Sequence, residues 1–454
     1  SCKNQRLGLG QVGYNAGMFK KKKKLYIAVA ALLVVLTAGY ALAFNARVQE
    51  SVGWHAAQFL SWLRVKLDPP EAVEFTAEGL SAQSLEAPSV THLAATTPQA
   101  ADDSQESTSS APTTTAAPLP NFVELEGITY FSQHNRWNYC GPANLAMALS
   151  YWGWEGTHDD VARVAKPYQK DKSVMPYELV DYVQTQTDLD ALTRVGGDLS
   201  MLKRLIANGY PVIVEKGPYF RDITYRITWM GHYQLLSGYN DATSMFIAQD
   251  SYINADYEQP YADLVDEWRS FNYTYVVVFP KNERNDVLNL LGENADVDQN
   301  YHLALQKAAE EIYSESGLAQ FFAWYNYGTN LVYLRDYNGA AKAYDQAFTL
   351  YNNLPEDNTL RPYRILWYET GPYYAYYFMG RYTDVINLAT NNSIDMVRDD
   401  EPALEESYYW RGRAKVAVGD QSGAIEDFMM CLTYHPDFQP CVDELNALGI
   451  YPED

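Results

Sequence analysis

The sequence predicts an α+β domain followed by an all-α helical repeat domain, the two preceded by one transmembrane helix. Three observations carry this prediction. A run of 20 uncharged, apolar residues, Leu25–Phe44, stands directly behind five lysines, Lys20–Lys24. Between residues 121 and 281, short apolar runs of strand type alternate with amphipathic helical stretches. From residue 282 to 454 the pattern turns helical and rich in Tyr and Ala, with a recurring spacing of small residues.

The apolar run (LYIAVAALLVVLTAGYALAF) is long enough to cross a hydrocarbon core of about 30 Å. The lysines hold residues 1–24 in the cytoplasm and send the remainder across, so the later domains are expected to be extracytoplasmic on a single-pass anchor. The alternative is secretion after cleavage near Ala43, since Ala41-Leu42-Ala43 resembles a signal-peptidase site. Residues 45–120 read as a juxtamembrane helix over Ala46–Val65 and then a linker. Residues 87–120 are mostly Ala, Pro, Ser and Thr, a composition with too little apolar surface to offset chain ordering. They are expected to form a disordered tether that lifts the next domain off the membrane.

Net charge is -23 over 454 residues. Residues 1–44 hold seven Lys or Arg and no acid, leaving 27 basic and 57 acidic side chains, a net -30, in the rest. Such a surface repels phosphates, which argues against a nucleic acid partner. No HExxH, Walker loop or GxGxxG occurs, and no cysteine pair has zinc spacing, so no metal or cofactor is predicted. Of the four cysteines, Cys431 and Cys441 read equally as one bridge or as two separate helix-packing thiols.

Within residues 121–281, Cys140 opens the stretch Cys140-Gly141-Pro142-Ala143-Asn144-Leu145. Pro142 suits a first helical turn, so Cys140 sits at a helix N-terminus. The partial positive charge there favours the thiolate, the form that attacks carbonyls. Of the seven histidines, His232 is best placed as its base, opening the run GHYQLLSGY. A turn at residues 240–243 and a second strand ending at Asp250 make a hairpin. If the turn centres on Asp241, His232 and Asp250 face each other directly, and Asp250 orients the imidazole. A one-residue slip would separate them. Gln133, or else Asn135 or Asn138, would supply an oxyanion donor. Flanking helices are expected at 175–185 and 198–208 and strands at 210–215 and 274–279. Residues 216–230 read as a connector into His232.

Together the Gln…CGPA helix start, the GHYQLLSGY strand and the following AQD strand resemble the C39-like peptidases, over roughly Val123–Pro280. The resemblance implies a papain-like fold and a thiol peptidase acting on peptide or protein substrates. Cys140 would be nucleophile, His232 general base and acid, Asp250 orienter and Gln133 oxyanion donor. The Gln133-to-Cys140 spacing is seven, where such enzymes usually have five or six. A non-catalytic domain that binds peptides without cutting them is the alternative.

In the C-terminal region, Trp324, Tyr327, Gly328, Leu331, Ala340, Tyr344 and Ala347 resemble a tetratricopeptide unit, and Tyr408, Gly412, Ala424, Phe428, Cys431 and Pro436 another. A middle unit spans Ile365–Asn392, and a leading helix Asn300–Ser314. The resemblance implies three helical pairs with a concave face for a partner protein, or pairs that merely cap the preceding domain.

Overall fold

A computed structural model describes residues 46–67, 72–77 and 118–452, apart from 169–170, 223–224, 358 and 398–402. The chain divides into two compact units at Pro69/Pro70. Among the described residues of the first, helix α1 (Ala46–Leu67) extends the expected juxtamembrane helix by two residues. Phe59, Leu60 and Trp62 stand exposed on it. The predicted span Leu25–Phe44 lies outside the described residues. Among those described, no helix is long and apolar enough to cross a membrane.

The second unit opens with an antiparallel sheet between two helical layers. In chain order its elements are β1 (Phe122–Glu124), α2 (Cys140–Tyr151), α3 (His158–Ala165), α4 (Pro176–Gln186), β2 (Leu189–Arg194), α5 (Leu199–Ala207) and β3 (Val212–Lys216). There follow β4 (Tyr219–Arg221), β5 (Ile227–Trp229), β6 (His232–Asn240), β7 (Met245–Gln249), β8 (Tyr257–Pro260), α6 (Tyr261–Arg269) and β9 (Tyr275–Pro280). The sheet order is β2-β9-β3-β6-β7-β8, with β1 also on β6. Alternation along the strands assigns the two faces. Tyr275, Val277 and Phe279 of β9 pack with α5 and α6. Val276 and Val278 pack with α2, α3 and α4 on the other face. Helix α5 begins where the Asp198 side chain accepts from Met201 N at 2.7 Å, a cap of about 1 kcal/mol. The expected strand from residue 122 is only three residues long, and the expected connector 216–230 contains a hairpin, β4 paired with β5.

The β6–β7 hairpin differs from its predicted register. The turn spans Asp241–Ser244, with Ser244 at φ 57, so Asn240 pairs with Met245 rather than with a residue nearer Asp241. Continued unbroken, that register would put His232 and Asp250 on opposite faces. A bulge between Leu236 and Gly238 shifts pairing by one, giving Leu236↔Ala248 and Leu235↔Gln249. The shift restores the parity, and Asp250 emerges just beyond β7 on the side of His232 and Gln234. β1 crosses at this point: a Cβ on Gly238 would meet Val123 O at 2.5 Å.

The rest of the unit is helical: α7 (Arg284–Leu291), α8 (Val297–Ser314), α9 (Gly317–Tyr333), α10 (Tyr337–Asn352), α11 (Gly371–Phe378), α12 (Tyr382–Ala389), α13 (Glu405–Ala417), α14 (Gln421–Tyr434) and α15 (Gln439–Ala447). Helices α9/α10, α11/α12 and α13/α14 form successive packed pairs. Glycine at the crossing of the first and last lets an aromatic ring close in: a Cβ on Gly328 would meet Tyr344 at 2.9 Å, and one on Gly412 would meet Phe428 at 2.6 Å. The middle pair is shorter and is preceded by a single 3-10 turn, Ile365–Trp367. Cys431 and Cys441 are bonded to each other, joining α14 to α15.

The helical region is docked on the sheet domain through buried asparagines. Asn300 bonds both Val195 N and Val195 O, Asn326 donates to Arg269 O at 2.7 Å, and Asn330 exchanges bonds with Asn272. One part of the expected linker is also packed here. Phe75 is fully buried in the helical core, while Tyr239 OH donates to Pro120 O at 2.8 Å. Both ends of residues 78–117 are therefore held by the same unit. Residues 78–117, which include most of the expected tether, lie outside the described residues.

Candidate active site

The site forms where the N-terminus of α2 meets the start of β6. Cys140 is the first residue of α2 and is half-buried. Asn144, one turn on, fixes the helix against the sheet. Its Nδ2 donates to Cys140 O at 2.9 Å, Tyr233 O at 2.7 Å and Ser251 Oγ at 3.1 Å, while its Oδ1 accepts from Leu235 N at 2.8 Å. These bonds set the thiol beside the residue that opens β6, close enough for the Cys140 thiol and the His232 imidazole to shift each other's ionisation.

His232 is buried, and its Nε2 lies 3.1 Å from both carboxylate oxygens of Asp250. That leaves Nδ1 as the ring nitrogen for the thiol. Asp250 is itself fully buried and held by Tyr252 N at 2.9 Å, Ile253 N at 3.0 Å and Gln234 Nε2 at 2.8 Å. The electrostatics form a coupled set. Burial pushes the Asp250 carboxyl up, but the His232 charge and hydrogen bond, with Lys216 and backbone N–H groups, hold it far below the usual carboxylate range. Burial would lower the His232 imidazole; Asp250 and Cys140 overcome this and raise it to about 9. Burial raises the Cys140 thiol, while His232 and the backbone of Tyr233 and Gly141 outweigh it and leave the thiol below its ordinary value. All three shifts favour a thiolate–imidazolium pair.

Gln133 lines the same cavity. Ser251 Oγ donates to Gln133 Oε1 at 2.7 Å, and Gln133 N donates to Ser251 O at 2.9 Å. With the amide oxygen engaged, the amide nitrogen is the end left to donate. Of the alternatives, Asn138 spends its amide on Asp171 O at 2.5 Å and Asn135 is exposed. The structure thus brings Cys140, His232, Asp250 and Gln133 together.

Several residues of the site carried no recognised sequence signal. Phe220 of β4 meets the His232 ring edge-on at 5.1 Å and stacks on Tyr252 at 4.3 Å, shielding the His232–Asp250 pair. Tyr368, from the helical region, forms part of the wall, and a Cβ on Gly231 would meet its ring at 2.8 Å. The glycine before His232 is therefore legible afterwards as room for a distant aromatic. Glu215, buried on the strand beside β6, carries a carboxyl raised well above its usual range by burial and by Glu369. The cavity around Cys140 is small, about 50 Å³.

A larger cavity of about 740 Å³, lined by Tyr177, Glu178, Glu406, Trp410 and His435, contains none of the predicted site residues. Near it, ligand atoms of Asp171, Glu405 and His435 lie within 4.8 Å of one another, a spacing that could hold a metal. Burial first, and repulsion from neighbouring carboxylates second, raise the carboxyls of Glu178, Glu405 and Glu406 well above the usual range. Lys166, buried beside Asp171, is the nearby cation, its own ammonium lowered by burial to about 8.

Comparison with known proteins finds similarity within this domain. Residues 125–276 match the model of the Peptidase_C39 like family. A crystal structure from Bacillus anthracis, designated a C39-like peptidase, is 15% identical over 35% of this chain and 96% of its own, with a TM-score of 0.29. No curated protein matches the chain.

Proposed function

We propose that residues 121–281 are a thiol peptidase domain that cuts peptide or protein substrates through an acyl-enzyme. The observation that carries this reading is Cys140 at a helix N-terminus beside His232, whose Nε2 lies 3.1 Å from Asp250, with a depressed thiol and a raised imidazole. In this mechanism the Cys140 thiolate adds to the scissile carbonyl. The Gln133 amide and the Cys140 backbone N–H receive the developing oxyanion. The His232 imidazolium then protonates the leaving amine, giving an acyl-thioester and a neutral imidazole. Neutral His232 deprotonates a water that attacks the thioester, releasing the acid and restoring the thiol pair. Asp250 keeps the imidazole in one orientation throughout.

Residues 25–44 would anchor the chain, with the domains outside the cytoplasm. The helical pairs, tetratricopeptide-like in their small-residue pattern, would bind a partner or substrate. One observation favours the second reading, a peptide-binding domain that does not cut. The cavity at Cys140 is about 50 Å³, well below the usual size of a ligand pocket.

A peptide electrophile directed at thiols, applied to the full chain, separates the two. Labelling should disappear in Cys140→Ala and survive Cys2→Ser, since Cys431 and Cys441 are already bonded. A peptide library should be cut by the parent chain and not by Cys140→Ala. Labelling that persists without Cys140 removes the enzyme reading. Peptides bound equally by both chains and cut by neither would establish the second.

A further inference from the structure

The helical region holds a short piece of its own chain by contacts of the kind used to read peptides. Asn352, the last residue of α10, pairs with both backbone groups of one residue: Phe75 N donates to its Oδ1 at 3.1 Å, and its Nδ2 donates to Phe75 O at 2.8 Å. A side-chain amide used in this way replaces the neighbouring strand of a sheet. Two further backbone carbonyls are held, Glu74 O by Asn392 Nδ2 at 2.8 Å and Val73 O by Arg361 Nη1 at 3.2 Å. Arg361 and Asn392 are almost wholly buried. Arg361 is locked by bonds to Asn352 O and Leu354 O, and its guanidinium lies 5.1 Å from the Tyr351 ring centroid.

The backbone bonds are indifferent to sequence; the Phe75 ring supplies selectivity. It is fully buried, stacked on Phe348 at 4.5 Å and set edge-on to Tyr351 at 4.6 Å. Phe75 is also the sole aromatic residue between Trp62 and Phe122. A stretch otherwise free of large rings thus presents one, at the position where a ring-sized pocket receives it.

Two residues of the clamp, Asn352 and Arg361, belong to the same stretch that walls the candidate site. Leu360 O accepts from Tyr219 OH at 2.8 Å, and Arg364 pairs with Asp222 at 3.1 Å, so residues 352–368 grip the β4–β5 hairpin that carries Phe220. The stretch ends at Tyr368, beside Cys140.

We propose that Asn352, Arg361 and Asn392 form a peptide-recognition clamp whose resident ligand is the chain's own Val73–Phe75, and that its occupancy braces the wall of the site around Cys140. The clamp does not depend on Cys140 being catalytic, and its test is separate.

A site-specific protease sequence inserted between residues 87 and 120 of the full chain, in detergent, allows the backbone to be cut once. The N-terminal piece should remain bound to the rest after cutting. It should be released by a synthetic peptide spanning residues 70–79 but not by the same peptide with Phe75→Ala. Loss of a buried aromatic anchor should weaken the peptide about 30-fold or more. Release of the piece immediately on cutting, or equal potency of the two peptides, overturns the clamp. These readouts use the parent chain and so do not depend on a variant folding. Bracing is read separately. Phe75→Ala in the full chain, which empties the ring pocket, should raise the alkylation rate of Cys140 by a bulky electrophile several-fold with near-ultraviolet circular dichroism unchanged, and an unchanged rate overturns that part.

Discussion

Replacing Asp250 with asparagine keeps the shape of the site and removes its charge. In Asp250→Asn, the side-chain oxygen can still accept from Tyr252 N and Ile253 N. The new amide nitrogen, however, faces Gln234 Nε2, now donor against donor, and no longer offsets an imidazolium. The size of the effect follows from His232. Its imidazole is raised from 6.5 to about 9 against the opposing effect of burial, so the surroundings favour the charged ring by roughly 3 kcal/mol. Without Asp250, burial prevails and the ring loses its charge near neutrality. The thiol, lowered by that charge, then moves up toward its ordinary value of 9.0. At pH 6.5 the reactive ion pair should be about 100-fold scarcer. The assay is the rate of Cys140 alkylation by iodoacetamide from pH 5 to 10 in the full chain, with near-ultraviolet circular dichroism as a control for packing. The parent chain should react below the ordinary thiol range and lose its ion pair as pH rises through about 9. The variant should show one rise at alkaline pH. A variant profile superimposable on the parent's would refute the coupled-pair account, whatever happens to peptide cleavage.

Two further outcomes follow from buried polar groups. Asn144→Ala leaves Leu235 N and Tyr233 O buried without this partner and frees α2 from β6; it should cost roughly 3 kcal/mol in denaturant unfolding and slow Cys140 alkylation. A loss near zero would mean that α2 is positioned by apolar packing alone. For Glu405 and Glu406, folded carboxyls raised above their unfolded values contribute stability that is complete below about pH 4.5 and lost as pH rises through the raised values. Thermal unfolding should therefore fall more steeply between pH 5 and 9 in the parent chain than in Glu405→Gln/Glu406→Gln. The remaining groups of the cluster, Asp171, Glu178, Lys166 and His435, are common to both. Parallel profiles would show that the pair is already ionised.

The elements that a local signal could announce were legible in the sequence. Gly-Pro directly after Cys140 marks a helix start because proline fits only the first turn, and α2 does begin at Cys140. The apolar run ending at residue 279 reads as a buried strand because both faces of β9 are covered. The proximity of His232 and Asp250 was reached through a register that the molecule does not adopt. The turn is wider than expected, and the bulge at residue 237 cancels the error in parity. Strand pairing has period two, so two odd displacements return a side chain to its face; a sequence pattern sees neither displacement.

What stayed hidden depends on residues far apart in the chain. Ser251 acquires meaning only when Gln133 and Asn144 arrive from over a hundred residues away. Gly231 looks like an ordinary strand boundary until Tyr368 closes on it. Phe75 illustrates the limit most sharply. Residue 75 falls between the juxtamembrane helix and the Ala-, Pro-, Ser- and Thr-rich run 87–120, in a stretch that reads only as linker. One ring in a pocket and four backbone bonds suffice to order six residues, since the receiving groups, Asn352, Arg361 and Asn392, are already fixed by the helical core. The ordering entropy is borne mainly by the short segment rather than by its receptor, which is the circumstance in which a few contacts can hold a peptide. The helical region therefore acts on both sides of the sheet domain's sequence. It takes in a segment that precedes the sheet domain and supplies the aromatic wall beside its thiol, so the boundary expected at residue 281 separates two patterns of secondary structure within one packed body.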